Sequence, residues 1–271
     1  MSLSDLHVHT YFSSDSDAFP EGQIERAIEL GMRHIAITDH QDHDLPPGGR
    51  TFLLGETGDT DAYISAIHSL QDQYRGKIEV LVGVELGLQP HLGPMLDEYA
   101  ASHPFDFIIG STHRFEGRDT EEQELYEGRA DEESARRYFE TEFENLRATQ
   151  AYDVVGHLDF VLRDLPSRNE NFRYETHADV LDAMLLYVIE QGKGIECNTA
   201  TLYRGYGQPG PDTSIIRRYR ELGGEIITFG SDAHRVQRLG MAFDEARQIV
   251  QDCGFRHYCI YRNRRPVFLP L

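Results

Sequence analysis

The sequence predicts an α/β fold in which a parallel sheet closes into a barrel, and three observations lead there. Short apolar runs alternate with amphipathic stretches along the 271 residues, the order expected when each strand is followed by a helix that crosses back over the sheet. Seven such units can be counted, one short of the usual eight, which favours closure over an open doubly wound sheet. No Gly-x-Gly-x-x-Gly follows the first run, so a dinucleotide fold is disfavoured. The runs end in histidine, aspartate or glutamate, and in such barrels the chemistry sits at the C-terminal ends of the strands.

Each element has its own signal. Leu6-His7-Val8-His9-Thr10 reads as a strand, and because alternate side chains share a face, His7 and His9 project together while Val8 turns away. A polar stretch from Tyr11 to Asp17 leads to Pro20-Glu21, which opens a helix carrying Ile24, Ala27, Ile28 and Gly31 at helical spacing. His34 to His40 is a buried parallel strand ending in an acid and an imidazole. A Pro/Gly-rich loop through Arg50 and a helix from about Ala62 to Tyr74 precede a strand, Ile78 to Gly87, that delivers Glu85. A helix near Met95 to Ser102 is followed by the strand Asp106 to His113. The acidic stretch Glu116 to Glu133 reads as a solvated loop running into a helix that ends near Ala148. Asp153 to Asp159 forms the next strand, then a helix from about Tyr174 to Glu190 and the strand Gly194 to Asn198. The helix Ile215 to Leu222 precedes the strand Glu225 to Ser231 and the tip Asp232-Ala233-His234. A helix from roughly Ala242 to Cys253 leads to a closing extended segment, Tyr258 to Leu269.

Composition narrows the function. With 39% apolar residues the chain can bury a substantial core, and nothing resembling a linker divides residues 1–271. The formal charge of −20, from 46 acidic against 26 basic residues, repels a phosphodiester backbone, so long nucleic acid is a poor partner. Three cysteines without framework spacing, no basic leader and no run of the ~20 apolar residues a membrane span needs point to a reduced, cytoplasmic protein without a membrane partner.

The strand ends supply the candidate site: His7, His9, His40, Glu85, His113, His157, Asp232 and His234, with Asp15 in the loop after the first strand. Six imidazoles and three carboxylates exceed what one catalytic metal uses, so two or three divalent ions are implied, with zinc, manganese and iron all compatible with the donors. A carboxylate can join two cations through its two oxygens, which makes Glu85 the natural bridge. Metals ~3.5–4 Å apart can share an activated hydroxide and clamp an oxyanion, apparatus suited to phosphate-ester hydrolysis. Seven other histidines (His34, His43, His68, His91, His103, His177 and His257) read as surface or structural residues, although His91 lies near enough to the Glu85 strand to meet a substrate's imidazole. Arg114 reads as structural, because it is adjacent to His113 and faces the other way.

Six stretches in order, namely His7-Val8-His9, Thr38-Asp39-His40, Gly83-Val84-Glu85, Ser111-Thr112-His113, Gly156-His157-Leu158-Asp159 and Gly230-Ser231-Asp232-Ala233-His234, resemble the polymerase and histidinol phosphatase (PHP) family. Glu85 to Pro90 and Arg218 to Gly224 resemble its histidinol-phosphatase branch. The resemblance implies a distorted (β/α)7 TIM-like barrel with a trinuclear site. By similarity, His7, His9, Glu85 and Asp232 would hold one ion, Glu85, His113 and His157 a second, and Asp15, His40 and His234 a third. Many relatives have histidine where Asp15 stands, and with a harder donor there the third site is expected to bind more weakly or to prefer manganese or iron over zinc. Asp39 is expected to orient a ligand. Arg163 and Arg204 are expected to bind substrate phosphate, and Glu85, Asp232, His234 and Arg163 to carry the chemistry. The implied activity is hydrolysis of L-histidinol phosphate, a small phosphate monoester, to histidinol and inorganic phosphate in histidine biosynthesis. A PHP-type phosphodiesterase or exonuclease, or a phosphatase acting on another small monoester, is the alternative.

Overall fold

The computed structural model describes residues 3–44, 52–55, 58–168 and 170–271; from position 45 onward, the expected loop through Arg50 lies outside the described residues. Its strands are β1 (His34–Ile37), β2 (His40–Asp42), β3 (Glu79–Gly87), β4 (Phe107–Ser111), the short hairpin β5 (Arg114–Phe115) and β6 (Arg118–Asp119), β7 (Val154–Val155), β8 (Gly194–Asn198), β9 (Ile227–Gly230), β10 (His257–Arg262) and β11 (Arg265–Pro270). The helices are α1 (Pro20–Glu29), α2 (Thr60–Gln73), α3 (Gly93–Ser102), α4 (Asp131–Ala148), α5 (Ala178–Glu190), α6 (Ala200–Tyr203), α7 (Thr213–Glu221) and α8 (Phe243–Asp252). The main sheet is parallel, in the order β1-β3-β4-β7-β8-β9, with β2 also paired to β3.

Residues 5–9 close this sheet. Their backbone bonds alternate between its edges: Ala36 N–H donates to Asp5 O at 3.0 Å and Thr38 N–H to Val8 O at 2.9 Å on the β1 side, while Leu6 N–H donates to Phe229 O at 2.9 Å and Asp232 N–H to His7 O at 2.8 Å on the β9 side. The segment makes isolated bridges (Asp5 with Ile35, Val8 with Ala233) instead of a continuous ladder, so the expected first strand is present in position but irregular. The result is the distorted seven-staved barrel.

Local sequence accounts for the helices and their ends. Pro20 occupies the first turn of α1, and Gly31, at φ 73°, lets the Met32 N–H reach back to Ala27 O. The Asp59 side chain caps α2 by accepting from Ala62 N–H at 3.0 Å, and Asp212 caps α7 by accepting from Ser214 N–H at 2.8 Å. One continuous hydrophobic cluster fills the barrel and the space beneath the helices. Where that core buries a hydroxyl it satisfies it: Tyr63 O–H reaches Ile37 O at 2.8 Å and Gly83 O at 2.9 Å, across the β1–β3 seam.

Several expectations need correction. The strand expected over residues 34–40 breaks at Thr38-Asp39, because the Asp39 carboxylate accepts from Thr10 N–H at 2.6 Å. The acidic stretch 116–133 is not a solvated loop throughout. It contains β6 and a 3-10 turn, Gln123–Leu125, and it buries Thr120, Leu125 and Tyr126, with Tyr126 O–H held by Thr120 O at 2.6 Å. The closing segment is a hairpin whose tight turn places Asn263 and Arg264 at φ 48° and 61°. Its arginines bind the entry ends of strands, Arg262 pairing with Glu79 at 2.6 Å and Arg264 with Asp153 at 3.0 Å, so it plugs the end of the barrel opposite the strand tips.

Candidate active site

Glu85 sits near the end of β3 with no solvent exposure, and the barrel turns imidazoles toward both of its oxygens. On one oxygen converge His7 Nε2 at 3.2 Å, His9 Nε2 at 3.5 Å and His40 Nδ1 at 2.9 Å; on the other, His113 Nε2 at 3.2 Å and His157 Nε2 at 3.0 Å. His7 and His9 do share a face, their ring centroids 5.1 Å apart. Asp232 takes a left-handed φ of 53°, uncommon for a side-chain-bearing residue, directly after β9. That turn brings its carboxylate within 3.3 Å of His9 Nε2 and 3.4 Å of His234 Nδ1. Asp15 lies 3.0 Å from His234 Nε2 and 3.7 Å from His40 Nε2. All nine residues read from the sequence therefore meet in one place.

The imidazoles are aimed by residues behind them, and two of these escaped the sequence reading. Glu196 accepts from His7 Nδ1 at 2.7 Å and from the backbone N–H of His157 at 3.0 Å, and Asp42 accepts from His113 Nδ1 at 2.7 Å. An acid inside the otherwise apolar strand Gly194–Asn198 was the available signal for Glu196. For Asp42 it was the two-residue spacing from His40, which puts both on one strand face. Asp39 accepts from Ser13 O–H at 2.6 Å, and Ser13 Oγ lies 3.1 Å from His9 Nδ1, so Asp39 orients His9 through the serine. Ser111 O–H donates to Glu85 at 2.7 Å.

This arrangement fits a cation. Burial opposes the charge on Glu85, yet His7, His113 and His40 overcome it and hold the carboxyl well below its ordinary range. Burial, reinforced by His234 and His40, lowers His9, and burial also lowers His157, whereas neighbouring carboxylates raise His7, His40, His113 and His234 against their burial; these four would shed a proton on binding a metal, since imidazole donates to a metal in its neutral form. Among the described residues, His7 Nε2, His9 Nε2, His40 Nδ1 and Glu85 Oε2 are buried and crowd one another at close range without the alignment of a hydrogen bond. Convergent orphan donors of this kind are costly unless an ion satisfies them. Tight three-residue groups recur around Glu85, including His7-His9-Glu85, Glu85-His113-His157 and His9-His40-His234.

Above the cluster opens a cavity of ≈ 310 Å³, ringed by Arg114, Arg163, Arg204, Arg235 and Arg238. Both expected phosphate-binding arginines line it. Arg163 lies flat on Phe160, its guanidinium 3.4 Å from the ring centroid, and Phe160 in turn packs 4.3 Å from His157. The reading of Arg114 as purely structural needs amending, since it also lines the cavity, and Arg235 and Arg238 were missed although they follow His234 closely in sequence. His91 does not line it; it is an exposed residue paired with Asp44 at 2.7 Å.

Parallel barrel, buried carboxylate ringed by imidazoles and basic cavity together define a barrel hydrolase built around a cation-binding cluster and suited to an anionic substrate. The chain belongs to the PHP domain family, whose model matches residues 5–200. It is 27% identical to the histidinol-phosphatase of Lactococcus lactis over 98% of this chain and 96% of that protein, and 30% identical to a protein of Clostridium acetobutylicum named probable histidinol-phosphatase, over 97% and 95%. The crystal structure of the Lactococcus lactis histidinol phosphate phosphatase, complexed with zinc, L-histidinol and phosphate, matches with a TM-score of 0.89 at 26% identity, over 98% of this chain and 99% of that one. Among the described residues no helix is long and apolar enough to cross a membrane.

Proposed function

We infer that this protein is a histidinol-phosphatase: it hydrolyses L-histidinol phosphate to L-histidinol and phosphate, a step of histidine biosynthesis. The observation that carries this reading is the Glu85 carboxylate, reached on each oxygen by imidazoles, at the floor of an arginine-ringed cavity. The full-length likeness to a phosphatase structure that holds zinc, histidinol and phosphate supplies the substrate class.

Two or three divalent ions would fit the cluster: His7, His9, Glu85 and Asp232 would hold one, Glu85, His113 and His157 a second, and Asp15, His40 and His234 a third. When bound they would lower the pKa of a water and neutralise phosphoryl oxygens. The protein's own part is positioning. Arg163, fixed on Phe160, presents its guanidinium to non-bridging phosphate oxygens, and Arg204 adds a second cation from the neighbouring rim. Glu196, Asp42 and Asp39 fix the imidazoles that face the cavity. The described lining contains no hydroxyl or thiol, and Ser13 and Ser111 are committed to Asp39 and Glu85, so water attacks phosphorus without a serine or cysteine phosphoenzyme.

The test is steady-state kinetics on metal-replete protein with histidinol phosphate, an aryl phosphate and a dinucleotide. The expected order places histidinol phosphate far ahead, with activity lost to chelators and restored by zinc, manganese or iron. Preferred cleavage of the dinucleotide, or full turnover by protein shown to be metal-free, would overturn the reading.

A further inference from the structure

A chain with a formal charge of −20 repels anions at long range, yet a phosphate monoester is an anion. The cluster does little to reverse that field at a distance. The buried Asp39, Asp42, Glu85, Glu196 and Asp232, with the half-buried Asp15, bring enough carboxylate to balance three divalent ions. Uncompensated positive charge at the cavity mouth therefore decides how an anion arrives. Among the lining arginines, Arg163 is paired with both Asp164 and Glu121, each at 3.4 Å, and Arg114 stands opposite Asp119 in the β5–β6 hairpin. Arg204, Arg235 and Arg238 have no carboxylate in ion-pair contact among the described residues. They come from adjoining staves, Arg204 from the end of α6 after β8, and Arg235 and Arg238 from the 3-10 turn after β9. Arg238 lies over the Tyr203 ring, 5.6 Å from its centroid, and Arg235 is exposed. The rim is thus polarised, with Asp119 and Glu121 on the β6 side and the unpaired cations on the β8–β9 side.

We propose that Arg235 and Arg238 form an electrostatic guide that draws phosphate monoesters to the cavity and drives off the cationic product. This differs from the part played by Arg163 and Arg204, which hold the phosphate once it has arrived. The second half of the proposal rests on the histidinol-phosphatase reading. The arriving ester carries a phosphate dianion, which the two guanidinium groups attract; after hydrolysis L-histidinol keeps its ammonium without the phosphate, and the same groups repel it. One pair of charges thereby favours both substrate entry and departure of the alcohol.

The experiment follows kcat/KM of metal-replete wild type, Arg235→Gln, Arg238→Gln and the double variant against ionic strength, on histidinol phosphate and on an aryl phosphate. Exposed charges act over about 30 Å in 0.01 M salt but only about 3 Å in 1 M. At low salt the double variant should lose about tenfold in kcat/KM on both esters, through KM much more than kcat, and it should converge on wild type as salt rises. Inhibition by inorganic phosphate should weaken and inhibition by L-histidinol should strengthen, opposite signs that a merely distorted rim would not produce. Metal content, read by elemental analysis, should not change. Equal salt dependence in wild type and double variant, a loss that persists at high salt, inhibition constants that move together, or loss of metal would overturn the proposal. If histidinol phosphate is not turned over while the aryl phosphate shows the expected convergence, the guide stands and the substrate reading has failed.

Discussion

At the scale of single residues the cluster turns on Glu85, because its two oxygens face two different sets of imidazoles. Glu85→Gln replaces one acceptor oxygen by an amide nitrogen that can hold no cation. It should reduce kcat at least a hundredfold and lower metal content, the second effect being read by elemental analysis of the purified variant. Arg163 is a different case, since it touches the cavity but not the cluster. A charge-assisted hydrogen bond is worth roughly 1.5–3 kcal/mol, so Arg163→Ala should cost on the order of ten- to a hundredfold in kcat/KM with metal content intact. Parallel assays on histidinol phosphate and an aryl phosphate check the assignment; comparable losses on both are expected, and a loss of metal would count against it.

At the scale of elements, the site depends on how closely strands approach. A Cβ on Gly230 would collide with the Glu196 carboxylate and His7 Cβ, both of which lie inside the barrel beside β9. Gly230→Ala should therefore cost about 1–3 kcal/mol of stability and disturb the His7–Glu196 bond, measurable as a lower denaturation midpoint together with weaker metal retention. The sequence made the strand tips legible for a physical reason: a parallel strand is apolar along its buried length, so a histidine or acid at its end stands out, as Glu85 and His113 do. It offered Arg163 from its place in a strand-end loop, with family resemblance singling it out, and it hid Arg235, Arg238 and Glu121, because charged residues in loops look alike whether they face a cavity or water. Strand boundaries were read too long at Asp153–Asp159, where just Val154–Val155 pair and the chain then turns so that His157 faces inward. The 116–133 segment was misjudged because its composition is dominated by side chains that stay outside, while a few residues, Thr120, Leu125 and Tyr126, decide its fold.

At the scale of the whole molecule, a buried acid behind the cluster, next to Thr112 and His113, contributes to the response to pH. Burial pushes the Glu142 carboxyl on α4 up to about 8 from 4.5, so it is neutral in the folded protein where the unfolded chain would ionise it. The folded state then holds the extra proton between those two values. Its contribution is fully present below pH 4.5 and fades as pH rises toward 8, by on the order of a few kcal/mol in total. Glu142→Gln should flatten the fall in stability across that window, as followed by chemical denaturation at a series of pH values; an unchanged slope would refute the assignment. The closure of the barrel has a further consequence, for biosynthesis. Residues 5–9 dock between β1 and β9, and their imidazoles meet Asp232 and His234 more than 220 positions downstream. During translation from the N-terminus, His7 and His9 emerge at the outset and wait for partners that are among the last to be made. The growing polypeptide thus exposes a half-built chelator that lacks the staves and acids needed to grip a cation. The groups that draw on Asp232 and His234 are thus the last part of the cluster to be completed, after the final strand of the sheet has been made.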